Sequence, residues 1–213
     1  MPMNDPRLVF EPVAHTYHWE GRRLPSVSEV MRFGGLTHAK WFTDAARARG
    51  QYVHQGIVLW HVGELDVAAI EPAYRGYFEA YWRWINRHQP DVRHMECRVA
   101  NALKGVAGTA DQVIFGEIIG VERPVMSWDI APWTCLDIKT GGVPRSVGPQ
   151  TALYGEEIAD ALVQPYVHRA VLNLRADGTY KFNWLEDMSD HDVFSWALGL
   201  YHWSGGHRDS DDE

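Results

Sequence analysis

Two aspartates and a lysine have spacing that could do chemistry. Asp111 ends Gly108-Thr109-Ala110-Asp111, and Asp137 and Lys139 lie in Leu136-Asp137-Ile138-Lys139-Thr140. Alternate residues of a strand share a face, so Asp137 and Lys139 project together while Ile138 enters the opposite packed layer. One strand then presents an anion and a cation side by side. Mg²⁺ takes oxygen ligands and keeps several waters, so one or two carboxylates plus substrate phosphate oxygens suffice to hold it. Asp111 and Asp137 supply those carboxylates, and the Ile138 carbonyl lies within reach. A lysine beside such an ion can orient or help deprotonate an attacking water and offset charge building on phosphorus, while the ion lowers the pKa of the water. Gln150 and Tyr154 follow directly, four apart and so on one helical face, placed to hydrogen-bond a scissile phosphate or the lysine.

Each piece alone is commonplace, since a charged pair two apart is what a solvated strand edge carries. The order and spacing carry the signal, and they extend upstream through His15-Thr16-Tyr17, Leu24-Pro25-Ser26-Val27-Ser28-Glu29-Val30, Arg49-Gly50-Gln51-Tyr52-Val53-His54 and Glu96. Taken together, from about residue 15 to about residue 185, the chain resembles the PD-(D/E)XK nucleases, in particular their RecB-like and phage-type exonuclease branch. The resemblance implies an α/β fold with a restriction-endonuclease-like core, a central mixed β-sheet flanked by helices. It implies Asp111, Asp137, Lys139, Gln150 and Tyr154 as catalytic residues. His54, Glu96, Asp111, Asp137 and the carbonyl of Ile138 would hold one or two Mg²⁺ or Mn²⁺ ions. The implied activity is DNA exonuclease action on single-stranded or duplex ends in phage or bacterial recombination, replication or repair, with a phage or host recombination protein as a candidate partner.

Two of those metal residues have ordinary readings as well. Eleven histidines make one on a helix unremarkable, whereas a neutral imidazole at His54 could ligate a second ion and favour Mn²⁺ beside Mg²⁺. Strict alternation in Arg93–Val99 groups Glu96 with His94 and Arg98, where it either pairs across that face or reaches the metals. The chain also departs from the branch. Many members carry a glutamate one turn after the histidine, and here that position is Val58, with Glu64 further on. The stretch 117–134 is longer than a turn requires; such loops often carry specificity, and three readings stay open for it: contact with substrate, contact with a partner, or a simple lengthening of the hairpin.

Composition bounds the alternatives. With 213 residues, 46% of them hydrophobic, the chain can bury a full core. It shows no repeat, no apolar run near the roughly 18 residues that span a bilayer, and no signal-peptide pattern at Met1-Pro2-Met3-Asn4-Asp5. The expectation is a soluble cytoplasmic protein of a bacterial or phage-infected cell, without membrane contact, with one nuclease domain over 1–206 and a disordered acidic tail over 207–213. Two cysteines, Cys97 and Cys135, are too few for an iron–sulfur cluster and read as buried free thiols.

Net charge argues against a nonspecific DNA binder: the formal value is −8 and the pI about 5.7. The tail holds four acids against one arginine, and Arg22, Arg23, Arg32, Lys40, Arg47 and Arg49 crowd the first fifty residues. That acidity keeps open a catalytically inactive DNA-binding or assembly subunit of the same fold, and an unrelated acidic interaction protein. The filled catalytic positions favour the enzyme. Ten tryptophans are many for this length; most belong in the core, though an exposed one could stack on an unpaired base.

The elements that must position these residues are a hairpin over 8–24, a helix from Ser26, a helix over 43–62 bearing His54 and an aromatic helix over 71–88. Strands are expected at 92–100, 106–115, 134–139, 165–174 and 179–184, with the Gln150–Tyr154 helix after the third. Asp177-Gly178 marks a hairpin turn. A last helix over 189–203, starting at Ser189-Asp190, is expected to carry Val193, Trp196, Ala197, Leu200 and Tyr201 along one apolar face.

Overall fold

The computed structural model describes residues 3–37, 43–124 and 132–205; Lys40 and the 207–213 tail lie outside them. Residues 8–24 form a three-stranded antiparallel sheet, β1 (Leu8–Glu11), β2 (Thr16–Trp19) and β3 (Arg22–Leu24), where a hairpin was expected. The extra strand arises because the chain reverses twice. Both turns use left-handed backbone, His15 at φ 50° in the first and Glu20 and Gly21 at φ 49° and 82° in the second.

Helix α1 (Val27–Phe33) starts where the Ser26 hydroxyl accepts from the Glu29 N–H at 3.0 Å. Helix α2 (Asp44–His61) starts in the same way at Thr43, which accepts from Ala46 N–H at 3.1 Å. Helix α3 (Arg75–His88) precedes the long strands β4 (Asp91–Asn101) and β5 (Val106–Phe115), then β6 (Trp133–Lys139). Helix α4 (Val147–Leu162) carries Gln150 and Tyr154. It is followed by β7 (His168–Leu174), β8 (Tyr180–Trp184) and α5 (Ser189–Trp203).

The fold is α/β, built on a mixed five-stranded sheet in the order β4-β5-β6-β7-β8 with helices on both faces. Only β6 and β7 are parallel, as their connection through a helix requires. One face packs on α1, α4 and α5 through Val30, Met31, Leu153, Ile158, Phe194 and Leu198. The other packs on α2 and α3 through Val53, Ile57, Phe78, Tyr81 and Trp84. The small sheet closes on the β4–β5 end through Leu8, Tyr17, Leu24, Ala100 and Ala107. No described helix is long and apolar enough to cross a membrane. Both cysteines are buried free thiols, and burial pushes Cys97 up to about 12.

One expectation is corrected. Helix α5 buries Phe194, Ala197, Leu198 and Tyr201, leaving Trp196 and Trp203 73% and 83% exposed, with Leu200 also exposed. The helix is apolar on more than one side, so periodicity alone did not identify the packed stripe. The 117–134 stretch leaves the sheet at the Phe115–Trp133 pair, four residues along each strand from Asp111 and Asp137, or roughly 13 Å away. Its described part packs against the end of α3 and β8. His88 Nδ1 bonds the Ile119 carbonyl at 2.6 Å, and Trp184 Nε1 donates to the Glu122 carbonyl at 2.8 Å. Residues 125–131 of the stretch lie outside the described residues.

Arg169, on β7, is one of the largest fully buried side chains. Its guanidinium donates to the carbonyls of Gly148 (2.9 Å) and Asp187 (2.8 Å) and to Asp190 (3.0 Å), tying the starts of α4 and α5 to the sheet. Arg169→Ala would leave Asp190 and two carbonyls without their donor. It should lower stability by about 3–5 kcal/mol, read as a lower urea midpoint at unchanged slope. A midpoint equal to that of the parent would contradict this role.

Candidate metal centre

The pairing of β5 with β6 stops at Gln112–Leu136, and the strands diverge just where Asp111 and Asp137 follow. Ile138 therefore loses a strand partner on that side. Side chains replace it: Asp111 Oδ2 accepts from the Ile138 N–H at 2.6 Å, and His54 Nε2, from α2, lies 2.9 Å from the Ile138 carbonyl, to which it can only donate. His54 Nδ1 is 3.5 Å from Asp111 Oδ1.

The β4–β5 ladder has a gap at the same level. Met95 pairs with Gln112 and Cys97 with Ala110, but the intervening Glu96 and Asp111 form no ladder pair. Glu96 has φ 46°, left-handed backbone that costs a non-glycine residue about 1–3 kcal/mol. The kink reverses the faces. Met95 packs on the α2–α3 side while Cys97 packs on the α1–α4–α5 side, so the alternation expected to group Glu96 with His94 and Arg98 fails there. Among the described residues Glu96 has no ion-pair partner. Instead the kink brings it to His54 and Asp111, with one ligand atom from each of the three lying within 4.8 Å of the others.

Asp137 and Lys139 project together from β6, as their spacing predicts. Lys139 Nζ lies 2.9 and 2.8 Å from the two oxygens of Asp137, which is 2% exposed. Asp137 is thus engaged by the lysine and stands outside the His54–Glu96–Asp111 group. Gln150 Nε2 donates to the Tyr154 hydroxyl at 3.4 Å, and neither is bonded to Lys139. Tyr154 is buried over Gly108, where a Cβ would come within 2.5 Å of its ring. The Tyr17 hydroxyl lies 2.8 Å from Thr109 Oγ1, so the small sheet braces the same segment.

These contacts divide the charges. Burial opposes charging His54, but the Asp111 charge and its hydrogen bond outweigh it and lift the imidazole to about 9. Loss of solvent and the Asp111 charge push the Glu96 carboxyl up to about 7. Burial pushes Asp137 up to about 6, with Lys139 acting against the rise. Against the cost of burial, Asp111 is held below its ordinary value, chiefly by His54. Lys139 is raised despite burial, chiefly by Asp137, so near neutral pH it is a cation and not a proton acceptor.

One imidazole nitrogen, two carboxylates and a nearby carbonyl suit Mg²⁺ or Mn²⁺, the nitrogen favouring Mn²⁺. The donor set fits a divalent cation by a further test: two carboxyl groups, one of them on the strained backbone of Glu96, are crowded against an imidazole, and a cation would offset the charge they carry when deprotonated. Sequence reasoning missed three features. It had no signal for the left-handed Glu96. Gly108 did carry one, since glycine within a strand marks close approach of another group. The third is Arg49 Nε donating to Thr140 Oγ1 at 3.4 Å, where the sequence showed only a basic cluster. That cluster is not one patch, for Arg23 pairs with Glu29 and Arg47 with Asp44.

No family model matches the chain, and no curated protein matches it. Among solved structures, an alkaline exonuclease from Laribacter hongkongensis is similar over 84% of this chain and 86% of that one, at 13% identity and a TM-score of 0.40.

Taking up a divalent cation requires His54 and Glu96 to give up their protons. Mn²⁺ affinity should therefore rise with pH, steeply below about 7 and less steeply from there to about 9. Calorimetry in buffers of different ionisation enthalpy checks this, and proton release that does not change across that range would contradict it. Glu96→Gln should weaken Mn²⁺ binding at least about tenfold.

Proposed function

We propose that the chain is a divalent-metal-dependent nuclease of the PD-(D/E)XK type that hydrolyses phosphodiester bonds in DNA, acting as an exonuclease in phage or bacterial recombination, replication or repair. The observation that carries the reading is the convergence of His54, Glu96 and Asp111 beside an ion-paired Asp137 and Lys139.

In this reading His54, Glu96 and Asp111 hold the ion, with the Ile138 carbonyl beside them. The bound cation supplies Lewis acidity and a water of lowered pKa. The residues around it do the positioning. Asp111 fixes the Ile138 amide and with it the end of β6, so the strand cannot drift from the carboxylates. Asp137 holds Lys139 protonated and in place, and that ammonium stabilises the negative charge that develops on the phosphoryl oxygens. Because Lys139 is already charged, the proton lost by the attacking water goes elsewhere, to solvent or to a site carboxylate. Gln150, steadied by Tyr154, has an amide oxygen and a second N–H free for the substrate backbone. Within the formal net charge of −8, Glu96 and Asp111 are two of 28 acids, and a divalent cation would neutralise those two.

End-labelled single-stranded and duplex DNA incubated with Mg²⁺ or Mn²⁺ tests the reading. Shortening from the ends is expected, with circular single strands left intact. Asp111→Asn and Lys139→Ala should each lower the rate by about 10²-fold or more while circular dichroism remains that of the parent. Cutting of the circles would make the enzyme an endonuclease. DNA binding without metal and without cleavage would instead favour the non-catalytic subunit.

A further inference from the structure

Resting on the nuclease reading, we infer that Arg49 is a substrate-binding residue that takes a backbone phosphate flanking the scissile one, and that Thr140 orients it. Arg49 lies on α2 five residues before His54, or roughly 7.5 Å along the helix axis. Thr140 directly follows Lys139, so the contact between them lies at the end of β6, beside the candidate metal centre.

Arg49 is only partly buried and is held without being neutralised. Its Nε donates to the Thr140 hydroxyl at 3.4 Å, and its guanidinium carbon lies 5.9 Å from the Tyr77 ring centroid. No carboxylate is within ion-pair distance of it among the described residues, whereas Arg47, two residues earlier on the same helix, is 3.5 Å from Asp44. No acceptor among the described residues takes a hydrogen bond from its terminal amino groups. One of them lies close against Gly141, where a Cβ would come within 3.0 Å of it. Asn173 Nδ2 donates to the Gly141 carbonyl, so a buried side chain of β7 fixes that turn. A planar guanidinium with one N–H engaged by a neutral hydroxyl, and with terminal amino groups that have no acceptor among the described residues, is suited to bidentate contact with a phosphate.

The test uses the full chain and a short fluorescein-labelled single-stranded oligonucleotide. Binding is measured by anisotropy in Ca²⁺ across a salt series, and cleavage in Mg²⁺. Arg49→Ala should weaken binding and raise KM about tenfold, with kcat changed less than about twofold. The slope of log affinity against log salt should fall by about 0.7, as expected for loss of one phosphate contact. Arg49→Lys should recover the salt slope but only part of the affinity. Thr140→Val, which keeps the shape, should weaken binding in the same direction. Arg47→Ala removes the same charge from the same helix and should change neither affinity nor slope. Equal losses in Arg47→Ala and Arg49→Ala, or an Arg49→Ala salt slope equal to that of the parent, would overturn the inference and leave the nuclease reading intact. A parent protein that neither binds nor cuts DNA would remove that reading itself.

Discussion

The structure turns on the divergence of β5 from β6 after the Gln112–Leu136 pair. Strands that part leave backbone amides and carbonyls unpaired, and a buried unpaired group costs on the order of 1–3 kcal/mol. Here the Ile138 amide is taken by Asp111 and its carbonyl by His54. The residues that repair the fork are also those with metal-ligand chemistry. Opening the sheet and building the site are therefore one structural event, and the strained Glu96 on the next strand over belongs to it.

The surrounding architecture keeps the fork in place. Helix α2 delivers His54 from one face of the sheet, with Val53 and Ile57 locked into the core beside it. From the other face α4 lays Tyr154 over Gly108, and Arg169 anchors the start of that helix. Lys139 and Asp137 neutralise each other within the packed layer, which lets the lysine remain charged where an isolated ammonium would lose its proton. The charges are thus distributed before any ligand arrives: two cationic groups, His54 and Lys139, each face an aspartate.

Much of this was legible in the chain. Apolar runs placed β5 and β6, the two-residue spacing of Asp137 and Lys139 fixed their shared face, and Ser26 marked a helix start by side-chain capping. What escaped depends on contacts between distant segments. Nothing local in Arg93–Val99 says that Glu96 takes left-handed backbone, which accompanies the gap in pairing opposite Asp111. Helix α5 offers apolar residues on several sides, and only its packing on α1 and α4 selects Phe194 and Leu198 over Trp196 and Leu200. The charge relations among His54, Glu96 and Asp111 likewise exist only once three separate elements meet.

Anomalous diffraction from crystals soaked in Mn²⁺ tests the central claim most directly. The account predicts a peak bounded by His54, Glu96 and Asp111, with the His54 ring turned from the Ile138 carbonyl towards the ion. A peak located elsewhere, or no peak while His54 still bonds that carbonyl, would contradict it.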